Sequence, residues 1–274
     1  MSRSDARLAW LLVAPAMSLI ALVAVAPLAA SMWESLHLHD LRLPWLGRPF
    51  VGLAHYRAAV ADARLHEALV HTAFFTAASV ALELAFGMAL ALILHHLVRG
   101  RALARVVVLL PWALPAVVAA LVWRFMFEGE WLSHPRGAWV PIVLGDVWKS
   151  TPFVALLLLA GLQAIDPALH EAAALDGAGP WRRFRSITLP LLRPVIAVAL
   201  VFRMLDAFRV FDFVYLLTGG GPGTATEVIS LYAFSTLFQE LRFGYGAALS
   251  TVTFAIVFLL SLGWVRALRT GEDA

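Results

Sequence analysis

The sequence predicts an all-α polytopic membrane protein with six transmembrane helices, and two observations carry this prediction. Of its 274 residues, 61% are hydrophobic and 14% are charged, against roughly 45–50% and about 25% in an ordinary soluble domain. The apolar residues also fall into six long runs, and a helix that spans a bilayer needs about 20 residues. This composition excludes a secreted soluble domain, a nucleic-acid binder and a disordered chain.

Each predicted span is one of these apolar runs. The first run follows Arg3 and Arg7, as in a secretory signal, but it exceeds the about 7–15 apolar residues of a signal peptide. We therefore expect it to be retained as a span. The third run contains Pro111 and Pro115, which should kink it. The predicted spans are 8–32, 68–97, 106–127, 140–162, 191–217 and 244–268.

The arginines predict the orientation of the spans. With the N-terminus in the cytoplasm, eleven arginines fall in inside segments and six in outside segments. Because loops rich in Lys and Arg stay in the cytoplasm, both termini are expected there. The chain has no cysteine, which excludes disulfides and cysteine-bound metals. Residues 1–274 are predicted to form a single transmembrane domain.

The predicted inside loop, residues 163–190, carries the clearest local signals. Asp166 suits a helix N-cap and Pro167 the first helical position. Gly177 suits a left-handed stop at the helix C-terminus. These residues predict a helix from Pro167 to Asp176.

A second short helix should begin at Pro180 and end at Leu189-Pro190, because the residue before a proline disfavours the helical conformation. The residues alone leave two interpretations of this loop open. It either binds a partner on the cytoplasmic face or lies on the membrane as an amphipathic connector.

The loop also resembles a signature of the membrane subunits of binding-protein-dependent ABC importers. That signature is Glu-Ala-Ala, three residues, Gly, nine residues and Ile-x-Leu-Pro. The resemblance implies the type I permease fold of ABC importers, whose first loop helix docks in a groove of the ATP-binding subunit. It assigns coupling to the ATPase to Glu171, Ala172, Ala173, Leu175, Asp176, Gly177, Ile187, Leu189 and Pro190.

Other segments resemble the carbohydrate branch of these importers, the permeases of maltose, trehalose and glycerol-phosphate type. The resemblance covers essentially the whole chain and implies a transport subunit, not an enzyme. With a second permease it would form the path for a sugar or oligosaccharide that an external binding protein delivers. The matching segments are 12–16, 52–56 (without the family's usual asparagine), 189–194, 202–212 and 215–222.

The resemblance also implies the partners and the location. The partners are a second permease, two copies of an ATP-binding subunit, an extracytoplasmic substrate-binding protein and membrane lipid, with no nucleic acid. The location is the inner or plasma membrane of a prokaryote. No cofactor is expected in this chain, and ATP and Mg would be bound by the partner. A phosphate-binding loop needs Gly before its Lys, whereas the single lysine, Lys149, follows Trp148.

Four charged residues interrupt the predicted fifth span, each three positions from the next. A charge near the centre of a spanning helix costs about 2.5–3.5 kcal/mol of insertion free energy, so these residues should avoid lipid. They either line the path or only form i,i+3 ion pairs, Arg203–Asp206 and Arg209–Asp212. The candidate path residues are Arg203, Asp206, Arg209, Phe211, Asp212 and Tyr215.

Several features leave alternatives open. Glu83 in the second span is either functional or a buried hydrogen-bonding group. The segment Gly219-Gly220-Gly221-Pro222 is either a plain outer turn or a contact near the face where a binding protein docks. The alternative functions are an importer for a non-sugar solute such as glycerol phosphate, an ion-coupled secondary transporter and an intramembrane enzyme. No catalytic residue and no metal site is predicted.

Overall fold

The structure is a computed structural model that describes residues 3–97 and 99–272, which are mainly helical. Single π-helical turns occur at Ala21–Val25, Phe184–Thr188 and Ser235–Gln239. The helices are α1 (Arg3–Ile20), α2 (Ala26–Glu34), α3 (Ala54–Val60), α4 (Ala63–His96), α5 (Arg101–Ala113), α6 (Ala116–Met126), α7 (Glu130–Ser133), α8 (Trp139–Gln163), α9 (Pro167–Leu175), α10 (Pro180–Arg183), α11 (Leu189–Phe208), α12 (Asp212–Leu217), α13 (Ile229–Phe234) and α14 (Phe243–Glu272).

The helices confirm the predicted six-span architecture. In the described part of the chain, five helical stretches are long and apolar enough to cross a membrane, and α5 with α6 forms a sixth candidate that is bent by 84°. The five stretches are Leu12–Glu34, Ala63–His96, Trp139–Gln163, Pro180–Phe208 and Phe243–Trp264.

The third span is broken rather than kinked. Pro111 lies inside α5 without ending it, whereas Leu114 and Pro115 are both extended, with ψ angles of 139° and 137°. A proline forces the residue before it out of the helical conformation and cannot donate a backbone hydrogen bond. Two consecutive extended residues therefore separate α5 from α6.

The prediction of one continuous fifth span over 191–217 is wrong. Helix α11 ends at Phe208, and α12 begins only at Asp212. Asp212 occupies the first turn of α12, where a carboxylate is favoured by the unpaired N–H groups and the positive end of the helix dipole. The charges that interrupt the apolar run therefore coincide with a break in the helix.

The predicted outer segment at 218–243 also contains a helix that was not expected. Helix α13 continues through a π-helical turn to Gln239, and Ile229 and Leu231 within it are fully buried. This apolar stretch is shorter than a span, so its length gave no signal for a membrane helix.

The chain forms two compact units, one from Met1–Leu65 with Tyr232–Ile256 and the other from His66–Leu231 with Val257–Ala274. In the first unit, Asp62 connects two segments that are distant in the chain. Its Oδ2 accepts hydrogen bonds from the hydroxyls of Tyr232 and Tyr245, each at 2.5 Å. The guanidinium of Arg64 lies over the Tyr232 ring, 4.5 Å from its centroid. Burial is the largest influence and works to raise the pKa of Asp62, but the hydrogen bonds from the two tyrosines and from the backbone N–H groups of Leu65 and Arg64 together lower this pKa.

The core of the second unit is formed by α4, α8 and α11. Gly87 of α4 meets Val154, and Gly161 of α8 meets Leu192, at distances that leave no room for a Cβ atom. Small residues let spanning helices approach closely. The buried cluster around these contacts is Ala91, Leu94, Val154, Leu158, Leu159, Leu162 and Leu192.

Candidate functional site

A cavity of about 720 Å³ lies in the second unit. Its walls come from the end of α5, the start of α6, the middle of α8, the end of α11, the break before α12 and part of α14. Volumes of about 300–1,000 Å³ with a few convergent polar groups are typical of small-molecule sites. The charged and aromatic lining residues are Trp112, Asp146, Lys149, Phe153, Phe202, Arg203, Asp206, Arg209, Phe211, Asp212 and Phe213.

Arg203 links carboxylates from three spans beside this cavity. Its Nε and Nη2 donate to Glu83 at 2.5 and 2.7 Å, and Nη2 also donates to Asp146 at 3.1 Å. Its Nη1 donates to Asp206 at 2.5 Å, as the predicted i,i+3 pair requires. The planar guanidinium suits such bidentate contacts.

The sequence left open whether these charged residues line a path or only form ion pairs, and their exposure in the structure differs. The side chains of Glu83 and Arg203 are 0% and 5% exposed, whereas that of Asp206 is 63% exposed. Glu83 and Arg203 therefore act as a buried connection between α4 and α11. Asp206 keeps carboxylate surface available to the cavity.

The second predicted pair, Arg209–Asp212, does not form among the described residues. Arg209 follows the last residue of α11, and its Nη2 lies 3.9 Å from Asp206 Oδ1 instead. An i,i+3 contact needs a continuous helix, and the chain is non-helical between Arg209 and Asp212. Both side chains nevertheless line the cavity.

The two predicted aromatic residues differ in position. Phe211 lines the cavity, and Tyr215 stacks on it with ring centroids 5.2 Å apart and an interplanar angle of 13°. Tyr215 is 40% exposed but does not itself line the cavity. Phe208, three residues before Phe211, is 8% exposed and packs in the core.

Sequence reasoning missed a polar face of α8. Asp146, Lys149, Ser150 and Phe153 all line the cavity, and their i, i+3, i+4, i+7 spacing places them on one side of the helix. Lys149 Nζ donates to the carbonyl oxygens of Trp112 and Leu114 at 3.1 and 2.9 Å. Two charges inside an apolar span were the available signal, because such residues are functional by default.

The predicted helix of the 163–190 loop is confirmed as α9. Asp166 caps it by accepting a hydrogen bond from the backbone N–H of Ala168 at 2.9 Å, and Pro167 is its first residue. Gly177 is left-handed, with φ of +78°. The bonds from Gly177 N–H to Ala174 and from Ala178 N–H to Ala173 complete a Schellman stop.

Helix α9 presents the signature residues to solvent. Glu171, Ala172 and Asp176 are exposed, and Ala173 is partly exposed. Leu175 is 90% exposed, which is unusual for a leucine on a capped, well-defined helix.

The predicted end of the second loop helix at Leu189-Pro190 is wrong. Helix α10 continues through the π-helical turn into α11, so Ile187, Leu189 and Pro190 lie within one helical stretch. Leu189 N–H bonds to Phe184 O, five residues back. This wider turn accommodates Pro190, whose ring would otherwise meet the carbonyl four residues earlier.

The glycine-rich segment Gly219-Gly220-Gly221-Pro222 is a well-connected turn. The hydroxyls of Thr218 and Thr226 lie 2.8 Å apart, and Thr226 also donates to Gly221 O at 2.9 Å. Gly220, with φ of +91°, packs against Leu231 and Glu227. Within residues 3–97 and 99–272, no group of three or more metal-ligating side chains is placed to hold an ion.

Known proteins are similar to this chain in sequence and in fold. Residues 83–269 match the model of the family described as binding-protein-dependent transport system inner membrane component. The trehalose/maltose transport system permease protein MalF of Thermococcus litoralis is 40% identical, over 98% of this chain and 96% of that protein. The trehalose transport system permease protein SugA of Mycobacterium tuberculosis is 37% identical, over 96% and 89%.

One solved structure has the same fold. A bacterial alginate ABC transporter, in complex with an alginate pentasaccharide-bound periplasmic protein, has a chain that matches with a TM-score of 0.78 at 23% identity, over 95% of this chain and 94% of that chain. With its six candidate spans and the Glu-Ala-Ala loop, this chain belongs to the family of inner membrane components of binding-protein-dependent transport systems, the permease subunits of ABC importers.

Proposed function

We propose that this permease carries a disaccharide of the trehalose or maltose type through the cavity beside Arg203. The relatives' names supply the substrate class, since both transport trehalose or maltose. The cavity supplies chemistry that fits such a substrate, because it combines exposed carboxylates with aromatic rings. A second permease, unlike this one, would complete the path.

The carboxylates of Asp206 and Asp212 accept hydrogen bonds from sugar hydroxyls, and ionised acceptors form stronger bonds than neutral ones. The rings of Phe202, Phe211 and Trp112 offer flat apolar faces to the C–H side of a pyranose. Arg203 offers little to a sugar in this arrangement, because four of its five N–H donors already bond to carboxylates and its side chain is only 5% exposed. Of the other lining cations, Lys149 bonds to backbone carbonyls and Arg209 lies 3.9 Å from Asp206, so the cavity suits a neutral, hydroxyl-rich molecule.

Helix α9 is the proposed contact with the ATP-binding subunit, of which the complete transporter has two copies. The exposed Leu175 would be buried in a groove of that subunit, while the small side chains of Ala172 and Ala173 allow close approach. ATP and Mg would be bound by that partner, and this chain would hold no cofactor. The rigid caps at Asp166 and Gly177 let the helix transmit movement as one body.

The proposed orientation places the N- and C-termini in the cytoplasm of a prokaryote, with the Arg48 loop outside. An activity reporter fused to the C-terminus should be active only if that end is cytoplasmic, and a cysteine at position 48 should react with an impermeant thiol reagent. A C-terminus outside the cell would contradict this topology.

The complete transporter, purified from its own cell through a tag on this chain, tests the function. Mass spectrometry should identify a second permease and an ATP-binding subunit in the same complex. In proteoliposomes that hold this complex and the cell's external binding protein, trehalose or maltose should be taken up with ATP, and glycerol phosphate should not. Uptake of glycerol phosphate alone, or uptake without ATP, would overturn the proposal.

A further inference from the structure

The break in the third span leaves the carbonyl groups of Trp112 and Leu114 without their helical donors. In a continuous helix, the oxygens of Trp112 and Leu114 would accept from the N–H groups four residues on. Those N–H groups lie in α6, beyond the 84° bend. The helical pattern of backbone hydrogen bonds, each from an N–H to the carbonyl four residues earlier, resumes only with the bond from Ala119 N–H to Pro115 O, at 3.1 Å. At membrane depth, such oxygens need another donor, because lipid supplies none.

The ammonium group of Lys149 is that donor. It bonds to both oxygens at once, at 3.1 and 2.9 Å, which its three donors on a flexible stem allow. A cation is also favoured at the C-terminal end of a helix such as α5. Lys149 is the single lysine of the chain.

The same contact lies next to an aromatic wall of the cavity. The ring of Trp112 stacks on Phe153 with centroids 5.9 Å apart and an interplanar angle of 15°. Phe153 follows Lys149 by one helical turn, so the lysine binds the backbone of Trp112 while its neighbour on α8 meets the ring. All three residues line the cavity, and Trp112 remains 50% exposed.

We infer that Lys149 is a positioning residue for substrate: by bonding the carbonyls of Trp112 and Leu114 at the end of α5, it holds the broken third span so that the Trp112 ring forms part of the cavity wall. This role rests on the proposed function of the cavity as the sugar path. Lys149 acts through the backbone of Trp112 and need not touch the sugar.

Transport kinetics of the reconstituted transporter test the inference. Lys149→Met should raise the KM for trehalose or maltose roughly three- to tenfold, the size of one aromatic contact, with a smaller effect on the maximal rate. Lys149→Arg, which keeps a cation and several donors, should restore most of the affinity. An unchanged KM in Lys149→Met would overturn the inference.

Arg124→Met is the matched control. Arg124 Nη1 also donates to a helix-end carbonyl, that of Leu216 at 3.0 Å, but Arg124 does not line the cavity. It should keep the wild-type KM within about twofold, since no aromatic contact of the wall changes. An equal rise in KM for both variants would show a general loss of helix caps, and would also overturn the inference.

Pro115→Ala separates capping from positioning. It restores the backbone N–H at residue 115 and lets α5 and α6 join, so that the oxygens of Trp112 and Leu114 regain helical donors. Combined with Lys149→Met it should recover thermal stability and complex yield, yet keep the raised KM. Full recovery of the KM would mean that Lys149 only satisfies hydrogen bonds.

A second readout needs no transport. Because Lys149 is the single lysine, its modification by an amine reagent can be followed by mass spectrometry of one peptide. Its reaction should be several-fold faster in Pro115→Ala than in the wild type, since the ammonium is then released. Equal rates would overturn the inference even if sugar is transported. A wild-type complex that transports neither sugar, but shows this difference, would contradict the proposed function alone.

Discussion

Arg203 and Glu83 form a bidentate ion pair, with donor–acceptor distances of 2.5 and 2.7 Å, although 120 residues separate them in the chain. Both side chains are almost completely buried. A buried ion pair adds little net stability compared with a well-packed apolar pair, but the loss of one partner leaves an uncompensated charge. The pair therefore makes the contact between α4 and α11 specific.

Removal of either partner should destabilise the permease. We expect Arg203→Met to lower the free energy of unfolding by about 3–5 kcal/mol, because Glu83 and Asp146 lose their counter-charge in an apolar surrounding. Thermal unfolding and the yield of monodisperse complex in detergent measure this. The control is Arg209→Met. Arg209 lies 3.9 Å from Asp206 in an exposed pair, so its removal should lower the free energy of unfolding by less than about 1 kcal/mol. Equal stability of the two variants would contradict the prediction.

Asp206→Asn should affect transport rather than assembly. Its side chain is 63% exposed beside the cavity, and Arg203 keeps its bonds to Glu83 and Asp146 without it. We expect lower sugar uptake in proteoliposomes, with normal complex yield and normal basal ATPase activity. Loss of the assembled complex would instead show that Asp206 serves only the ion-pair network.

The turn after α9 should be essential for coupling. Gly177 has φ of +78° with open space around it, so Gly177→Val is opposed by the backbone alone, by about 1–2 kcal/mol. Gly179 has equal space but a φ of −65°, and Gly179→Val is the matched control. We expect only Gly177→Val to weaken co-purification of the ATP-binding subunit and substrate-stimulated ATPase activity.

A change on the face of α9 gives a second test of the same contact. Ala173→Glu adds a large charged side chain to the surface proposed for the groove, and it should release the ATP-binding subunit while the spans still insert. If both the Gly177 and the Ala173 variants keep that subunit bound and support full uptake, the 163–190 loop is only a membrane-surface connector.

Stability of the first unit should fall in acid because of Asp62. The pKa of Asp62 is lowered in the folded protein, below the value of about 3.9 for an unfolded chain. Its contribution to the free energy of unfolding is therefore complete above that unfolded value. This contribution is lost as the pH falls below about 4, through the folded pKa. Thermal unfolding between pH 3 and 6 should show this loss in the wild type and a flatter profile in Asp62→Asn. Identical profiles would contradict it.

The sequence determined the features that depend on neighbouring residues. Apolar runs predicted the spans because insertion into a bilayer depends on summed side-chain hydropathy along one helix. The ends of α9 were predicted because the Asp166 cap and the Gly177 stop act within a single helical turn. The Glu-Ala-Ala spacing pointed to the importer family in the same local way.

Only the tertiary structure decided which charges meet. Arg203 was expected to pair along its own helix, and it does so with Asp206, but its other partners come from α4 and α8. In the sequence, Lys149 indicates only that no phosphate-binding loop can form, because Trp148 precedes it. Its bonds to Trp112 and Leu114 depend on a bend in a different span. These contacts arise where packed helices place distant residues side by side, and no pattern along one helix encodes that placement.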